Sequence, residues 1–133
     1  MTPTSPGIRE EVQLVVLVVD DSARNRKLAC DVLRAAGLQT LAAATGGEAV
    51  ALAATYLPDV ILMDLRLPDM DGADAARVLA DSPRTGRIPV LAMSSLPRVD
   101  DWFLAGFADY IEKPFDVRDL PERVRRAARA ASH

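Results

Sequence analysis

Residues 14–21 read LVVLVVDD, an unbroken apolar run of six residues that ends in two carboxylates. Further apolar runs occupy residues 60–63 and 88–93, with a shorter one at 108–111 and a weaker one at 38–43. The long runs are continuously apolar and do not alternate with polar residues, which is typical of central strands in a parallel sheet covered on both faces. The sequence therefore predicts five strands, with the weakest at an edge.

Helical patterns lie between and after these strands, over residues 23–36, 47–56, 73–81, about 98–105 and about 119–131. Ser22 can cap the first helix, which turns an apolar face with Leu28 toward the sheet, and Gly37 can end it. Pro121 fits the first turn of a last helix capped by Asp119. Such alternation predicts an α/β fold with a doubly wound parallel sheet, in which ligands bind beyond the carboxyl ends of the strands.

The composition predicts one globular domain. Half of the 133 residues are apolar, about a quarter are charged, and the net charge is −3. There is no polybasic block of the kind that binds nucleic acid, and no apolar run approaches the roughly 20 residues needed to cross a membrane. The N-terminus lacks the features of a secretory signal, so we expect a soluble, cytoplasmic protein. Residues 1–11 show no periodicity and are predicted to be a flexible tail before a domain over residues 12–131.

Several common chemistries are excluded by residue counts. Cys30 is the single cysteine and His133 the single histidine, so an internal disulfide, Ser-His-Asp or Cys-His catalysis and a zinc site are not expected. Cys30 is predicted to be a packing residue.

Polar residues stand at the ends of the strongest predicted strands. Asp20 and Asp21 follow the first strand, Asp64 the third, Ser94 the fourth and Lys113 the fifth. The carboxyl ends of parallel strands meet at one rim, so we expect these side chains to lie close together. Three neighbouring carboxylates repel one another unless a cation binds them, and Mg²⁺ prefers such oxygen ligands.

This arrangement predicts phosphoryl transfer. A carboxylate such as Asp64 can act as a nucleophile and form an acyl phosphate, whose negative charge needs a metal ion and nearby donors. Lys113 offers a mobile positive charge, and the Ser94 hydroxyl offers a hydrogen bond.

Four segments resemble the receiver domain of two-component response regulators: VVDD at 18–21, DVILMDLRLPDMDG at 59–72, PVLAMS at 89–94 and ADYIEKPF at 108–115. The resemblance covers about residues 13–131. It implies a flavodoxin-like sheet in the order 2-1-3-4-5 and a phosphoryl group donated to Asp64 by a sensor histidine kinase or phosphotransfer protein. It also implies Mg²⁺ held by Asp20, Asp21, Asp64 and the backbone carbonyl of Arg66, and a cis peptide before Pro114.

The resemblance further implies a conformational switch. Ser94 would move toward the phosphoryl group and Tyr110 would turn inward, so that the surface of the fourth helix, fifth strand and fifth helix changes its preference for a downstream protein. Only 19 positions separate Ser94 from Lys113, which is fewer than usual in this family. The fourth helix or the loop before it is therefore predicted to be short.

Alternatives remain beside this phosphoacceptor hypothesis. A pseudo-receiver that binds partners without phosphorylation stays open. A haloacid-dehalogenase-type phosphatase is disfavoured because Arg66 stands where that class needs a second Asp, so we do not expect an enzyme. No segment follows the last predicted helix, so we expect a stand-alone regulator without a DNA-binding output module. A receiver cut from a larger protein stays open as an alternative.

Residues outside the predicted site receive simpler interpretations. Asp69 and Asp71 are predicted to cap the third helix and shape a turn, and Phe107 to pack in the core. Either Trp102 or Phe103 is a candidate for partner contact. The last helix carries a basic strip that is predicted to be solvated or, less often, to bind a partner, formed by Arg123, Arg125, Arg126 and Arg129.

Overall fold

The computed structural model describes residues 14–95 and 106–131. Within these ranges the strands are β1 Val15–Val19, β2 Gln39–Ala43, β3 Val60–Asp64, β4 Val90–Ser94 and β5 Asp109–Glu112. The helices described are α1 Ala23–Ala35, α2 Gly46–Tyr56, α3 Gly72–Asp81 and a C-terminal helix, Leu120–Ala131. The predicted tail at 1–11, the predicted fourth helix at 98–105, and Trp102 and Phe103 lie outside the described residues.

The five strands form one parallel sheet in the order β2-β1-β3-β4-β5, which confirms the predicted fold. In the register of this sheet, Asp64 pairs with Met93 and Ser94 pairs with Glu112. Asp64 and Ser94 are the last residues of β3 and β4, so the prediction that both follow their strands was wrong by one position. The sheet pairing itself holds them at its carboxyl rim.

Apolar side chains fill both faces of the sheet. Alternate residues of a strand point to opposite faces, and the continuous apolar runs therefore supply two core layers. One layer lies under α1 and the C-terminal helix and includes Val16, Val18, Leu33, Leu62 and Val124. The other lies under α2 and α3 and includes Leu17, Ile61, Ala49, Ala53 and Leu79.

The boundaries of α1 follow from local chemistry. The Asn25 backbone N–H donates to Ser22 Oγ at 3.2 Å, and Gly37 adopts a positive φ of 93° just after the helix, as predicted. Cys30 is buried in the core, which confirms its packing role. Leu28 is 45% exposed, so its predicted place on the buried face was wrong. The buried face of α1 is formed by Ala29, Cys30 and Leu33.

Candidate functional site

Two buried carboxylates and one exposed carboxylate meet at the carboxyl rim of the sheet. Asp20 is 1% exposed and Asp64 is 7% exposed, while Asp21 lies at the surface. One oxygen of each can be chosen so that all three lie within 4.8 Å of one another. The sheet fixes Asp20, because its backbone N–H donates to the Ala43 carbonyl at 3.1 Å.

Lys113 bridges the two buried carboxylates. Its Nζ donates to Asp20 Oδ2 at 2.9 Å and to Asp64 Oδ2 at 3.1 Å. The side chain is 17% exposed, and its backbone N–H donates to the Ser94 carbonyl at 2.8 Å. The β4–β5 pairing therefore delivers the ammonium group to the gap between two acids that come from distant parts of the chain.

Burial and hydrogen bonding act in opposite directions on these charges. Burial raises the pKa of Asp64 above its ordinary value, although the Arg66 N–H and Lys113 favour the ionised form. Burial lowers the pKa of Lys113, but its hydrogen bonds to Asp20 and Asp64 outweigh that effect and leave the pKa raised. Lys113 therefore stays cationic and provides the positive charge that keeps the two buried acids together.

A cavity of about 240 Å³ opens above these groups. Ser94 lines it and is itself only 2% exposed. The full lining consists of Asp20, Asp21, Ser22, Asn25, Asp64, Arg66, Ser94, Ser95 and Lys113. Every side chain in this set is polar, and the space suits a small, highly charged group better than an apolar ligand.

The segment after Asp64 folds back over this carboxylate. The Arg66 backbone N–H donates to Asp64 Oδ1 at 3.1 Å, so both oxygens of Asp64 have a donor. Gly72 lies against the start of this segment, where a Cβ atom would stand 2.4 Å from the Asp64 carbonyl oxygen. Only glycine fits there without moving the backbone.

Tyr110 lies beside the site in β5. It is 7% exposed and belongs to a small apolar cluster with Ala92, Leu65 and Phe107. Phe107 is partly buried in this cluster and also contacts the second core layer, which confirms its predicted packing role. Because Leu65 directly follows Asp64, this cluster connects the end of β3 with β5.

The response regulator receiver domain model matches residues 16–125. The chain belongs to this family. Receiver domains are phosphoacceptor signalling domains that interact with histidine kinases or phosphotransfer proteins and with downstream targets.

Two related proteins share this receiver domain but differ in total length. The chain is 34% identical over 113 residues to the polar-differentiation response regulator DivK of Brucella ovis, covering 83% of this chain and 92% of DivK. It is 37% identical over 113 residues to the DNA-binding dual master transcriptional regulator RpaA of Synechocystis, covering 83% of this chain and 47% of RpaA. The chain thus spans about half the length of one relative and nearly all of the other.

Solved receivers share the architecture. The receiver domain of a Pseudomonas aeruginosa sensor histidine kinase, solved with a magnesium ion coordinated in its active site cleft, superposes with a TM-score of 0.81 at 31% identity, covering 87% of this chain and 98% of that one. A response regulator from Chloroflexus aurantiacus gives a TM-score of 0.82 at 31% identity, covering 88% of this chain and 98% of that one.

The residues of this receiver fit a hard divalent cation. The candidate donors are carboxylate oxygens, which are the ligands that Mg²⁺ prefers, and two of them come from rigid strand ends. Asp21 is exposed and therefore has room to adjust its distance to an ion. The peptide between Lys113 and Pro114 is cis, as the resemblance implied.

The structure also assigns roles that the sequence did not reveal. Asp69 does not cap α3 as predicted; its carboxylate accepts backbone N–H groups at the start of α2. Asp71 does precede α3, but its side chain makes no capping hydrogen bond. Arg26 was missed, and its Nη1 donates to the Asp20 carbonyl at 2.7 Å. Nothing local in the sequence marks a hydrogen bond between α1 and the end of β1.

Along the parts of the chain that the structure describes, every helix is too short or too polar to span a bilayer.

Proposed function

We propose that this receiver is a phosphoacceptor of two-component signalling, in which Asp64 accepts a phosphoryl group from a sensor histidine kinase or a phosphotransfer protein. The observation that best supports this proposal is the Lys113 bridge. A partly buried ammonium lies between Asp20 and Asp64, and a buried hydroxyl, that of Ser94, lines the same cavity. If Lys113 and the two aspartates only stabilised the fold, they would not need an open cavity above them.

In this proposal the cation is Mg²⁺. Asp20, Asp21 and Asp64 would hold it, together with the backbone carbonyl of Arg66. When bound, the ion supplies positive charge that offsets the negative charge of the transferred group.

The acceptor needs a free oxygen for its reaction. A carboxylate oxygen of Asp64 forms a bond to phosphorus as the donor's phosphorus–nitrogen bond breaks, which leaves an acyl phosphate on Asp64 and a free imidazole on the donor. Asp64 Oδ2 accepts a hydrogen bond from Lys113, and Oδ1 accepts one from the Arg66 backbone N–H. The Arg66 N–H can release Oδ1 only if the loop moves. We therefore propose that Lys113 transfers its contact from Asp64 to the phosphoryl oxygens.

Ser94 and Tyr110 would carry the signal outward. The Ser94 hydroxyl would move toward the phosphoryl group and donate to it, and Tyr110 would turn inward. The output would be a changed affinity for a downstream protein, through the surface that includes β5 and the C-terminal helix. We further propose that the receiver spans residues 12–131, acts in the cytoplasm, and binds neither nucleic acid nor membrane.

Phosphorylation by a small-molecule donor tests the central claim. Wild-type protein is incubated with Mg²⁺ and acetyl phosphate, and intact mass is measured. We expect a gain of one phosphoryl group in wild type and none in Asp64→Asn. Asp81→Asn, a control with the same chemical change at an exposed acid at the end of α3, should gain it as wild type does. No gain in wild type would favour a pseudo-receiver, and an equal gain in Asp64→Asn would place the acceptor elsewhere.

A further inference from the structure

The loop over residues 65–71 is tied to the last residue of β3 at its start and closes on itself at its end. At its start, the Arg66 N–H bonds to Asp64 Oδ1 at 3.1 Å. At its end, the Gly72 N–H donates to the Leu65 carbonyl at 2.9 Å, and Arg66 forms an antiparallel bridge with Asp71. The main chain of Arg66 therefore belongs to a small closed loop beside Asp64.

Asp69 holds the tip to the N-terminus of α2. Its Oδ1 accepts the Gly46 N–H and its Oδ2 accepts the Gly47 N–H, both at 2.8 Å. Thr45 Oγ1 accepts the next N–H, that of Glu48, at 3.0 Å. The first N–H groups of a helix have no partner within the helix, so two of the three here are satisfied by a residue more than twenty positions away.

The charge of Asp69 strengthens this contact. Hydrogen bonds from Gly47 and then Gly46 lower the pKa of its carboxyl, so the group is ionised at neutral pH. A carboxylate facing the N-terminus of a helix is also favoured by the helix dipole.

Gly46 allows the loop to approach α2 this closely. A Cβ atom on Gly46 would lie 2.5 Å from Met70 Cγ, whereas one on Gly47 would make an ordinary contact, 3.4 Å from Asp69 Oδ2. Beyond these residues, α2 is anchored by Ala49 and Ala53, which are both fully buried. The tip of the loop thus rests on a support that is packed into the core.

We propose that Asp69 is a positioning residue for the cation site, because its contact with α2 fixes the Arg66 main chain beside Asp64. This inference rests on the proposed function, in which the Arg66 carbonyl is one of the cation ligands. Asp69 does not line the cavity above Asp20 and Asp64. Loss of its carboxylate frees the tip of the loop, and the Arg66 carbonyl must then be ordered each time a cation binds.

A Mg²⁺ titration followed by NMR, using the Arg66 backbone amide as the reporter, tests this role. We expect Asp69→Ala to weaken Mg²⁺ binding about tenfold, the lower end of what residues that orient metal ligands contribute. Asp69→Asn keeps one acceptor oxygen and should fall between Asp69→Ala and wild type. The Arg66 amide signal of Asp69→Ala should also be shifted or broadened before any cation is added.

Two controls separate positioning from general effects. Val124→Ala removes buried apolar volume in the C-terminal helix and lowers stability away from the loop. Asp81→Ala removes one exposed negative charge at the end of α3. Both should bind Mg²⁺ as wild type does.

Wild-type affinity in Asp69→Ala would overturn the proposal, and so would an equal loss of affinity in Val124→Ala. The acetyl phosphate experiment and the Mg²⁺ titration test different claims. If wild type binds Mg²⁺ but gains no phosphoryl group, the proposed function is wrong. The positioning role of Asp69 is then still tested by the titration.

Discussion

Two basic side chains hold β5 and its carboxyl end in different ways. Lys113 is 17% exposed and places one ammonium between two nearly buried acids, Asp20 and Asp64. Arg123, on the C-terminal helix, is 29% exposed; its Nε and Nη2 donate to Asp109 Oδ2 at 3.0 and 2.9 Å, and Nη2 also donates to the Tyr110 carbonyl at 2.6 Å.

The difference lies in what each contact can exchange. The lysine ammonium is a compact charge on a flexible stem, and its acceptors are the same oxygens that a cation or a phosphoryl group would contact. The arginine guanidinium is a rigid fork whose donors are divided between a side chain and a backbone carbonyl. We infer that a cation or a phosphoryl group can replace the Lys113 contact, whereas the Arg123 contact is permanent.

The largest expected effect comes from Lys113→Ala. Without the ammonium, two buried carboxylates face each other unpaired, so we expect the free energy of unfolding to fall by about 3 kcal/mol in EDTA. Added Mg²⁺ should restore much of this loss, because a ligand that binds the native state stabilises it by mass action. Urea unfolding with and without Mg²⁺ measures both. A loss that Mg²⁺ does not change would show that a cation does not take over the role of the Lys113 ammonium.

Arg123→Ala should have a smaller effect that does not respond to Mg²⁺. It removes a partly exposed ion pair and a hydrogen bond to the Tyr110 carbonyl, for an expected loss of about 1 to 2 kcal/mol. The same urea experiment applies, with Arg129→Ala as the control, since Arg129 pairs only with the exposed Glu122 on its own helix among the contacts described. Recovery of Arg123→Ala in Mg²⁺ would show that the two regions are not separate.

The smallest effect concerns alkaline pH. The folded-state pKa of Lys113 is raised, so its stabilisation is complete below the unfolded pKa of about 10.4 and is lost as pH rises through the folded value. The stability difference between wild type and Lys113→Ala should therefore shrink by less than about 1 kcal/mol by pH 11. The difference for Arg123→Ala should stay constant over this range, because its contact with Asp109 and the Tyr110 carbonyl includes no lysine. Unfolding curves at pH 8 and pH 11 test this contrast.

The fold was predictable because its signals are local and repeated. Continuous apolar runs gave the strands, and Ser22 and Gly37 marked the ends of α1. The sheet order came from the family resemblance, which the structure confirms. Leu28 was wrongly predicted to be buried because a helical pattern defines the buried face only to within one position. The smaller side chains of Ala29 and Cys30 are buried instead.

The grouping of the site was also predictable, since strand ends in a parallel sheet share one rim. The supporting contacts were not. Asp69 looked like a local cap for α3, but its partners on α2 lie 22 and 23 positions earlier, and no sequence rule for helix starts reaches that far. The basic strip likewise gave no sign that Arg123 would bind Asp109 or that Arg125 would donate to the Ala36 carbonyl.

The Lys113 bridge has a consequence for which ions the pocket can accept. Counted at their formal charges, three aspartates and one lysine leave two negative charges; a divalent cation cancels both, while sodium or potassium leaves one uncompensated. Charge matching alone therefore discriminates against the monovalent ions that are most abundant around a protein, before any difference in coordination geometry is considered. Lys113 thus determines the charge of the cation that the pocket matches, and it also holds Asp20 and Asp64 together.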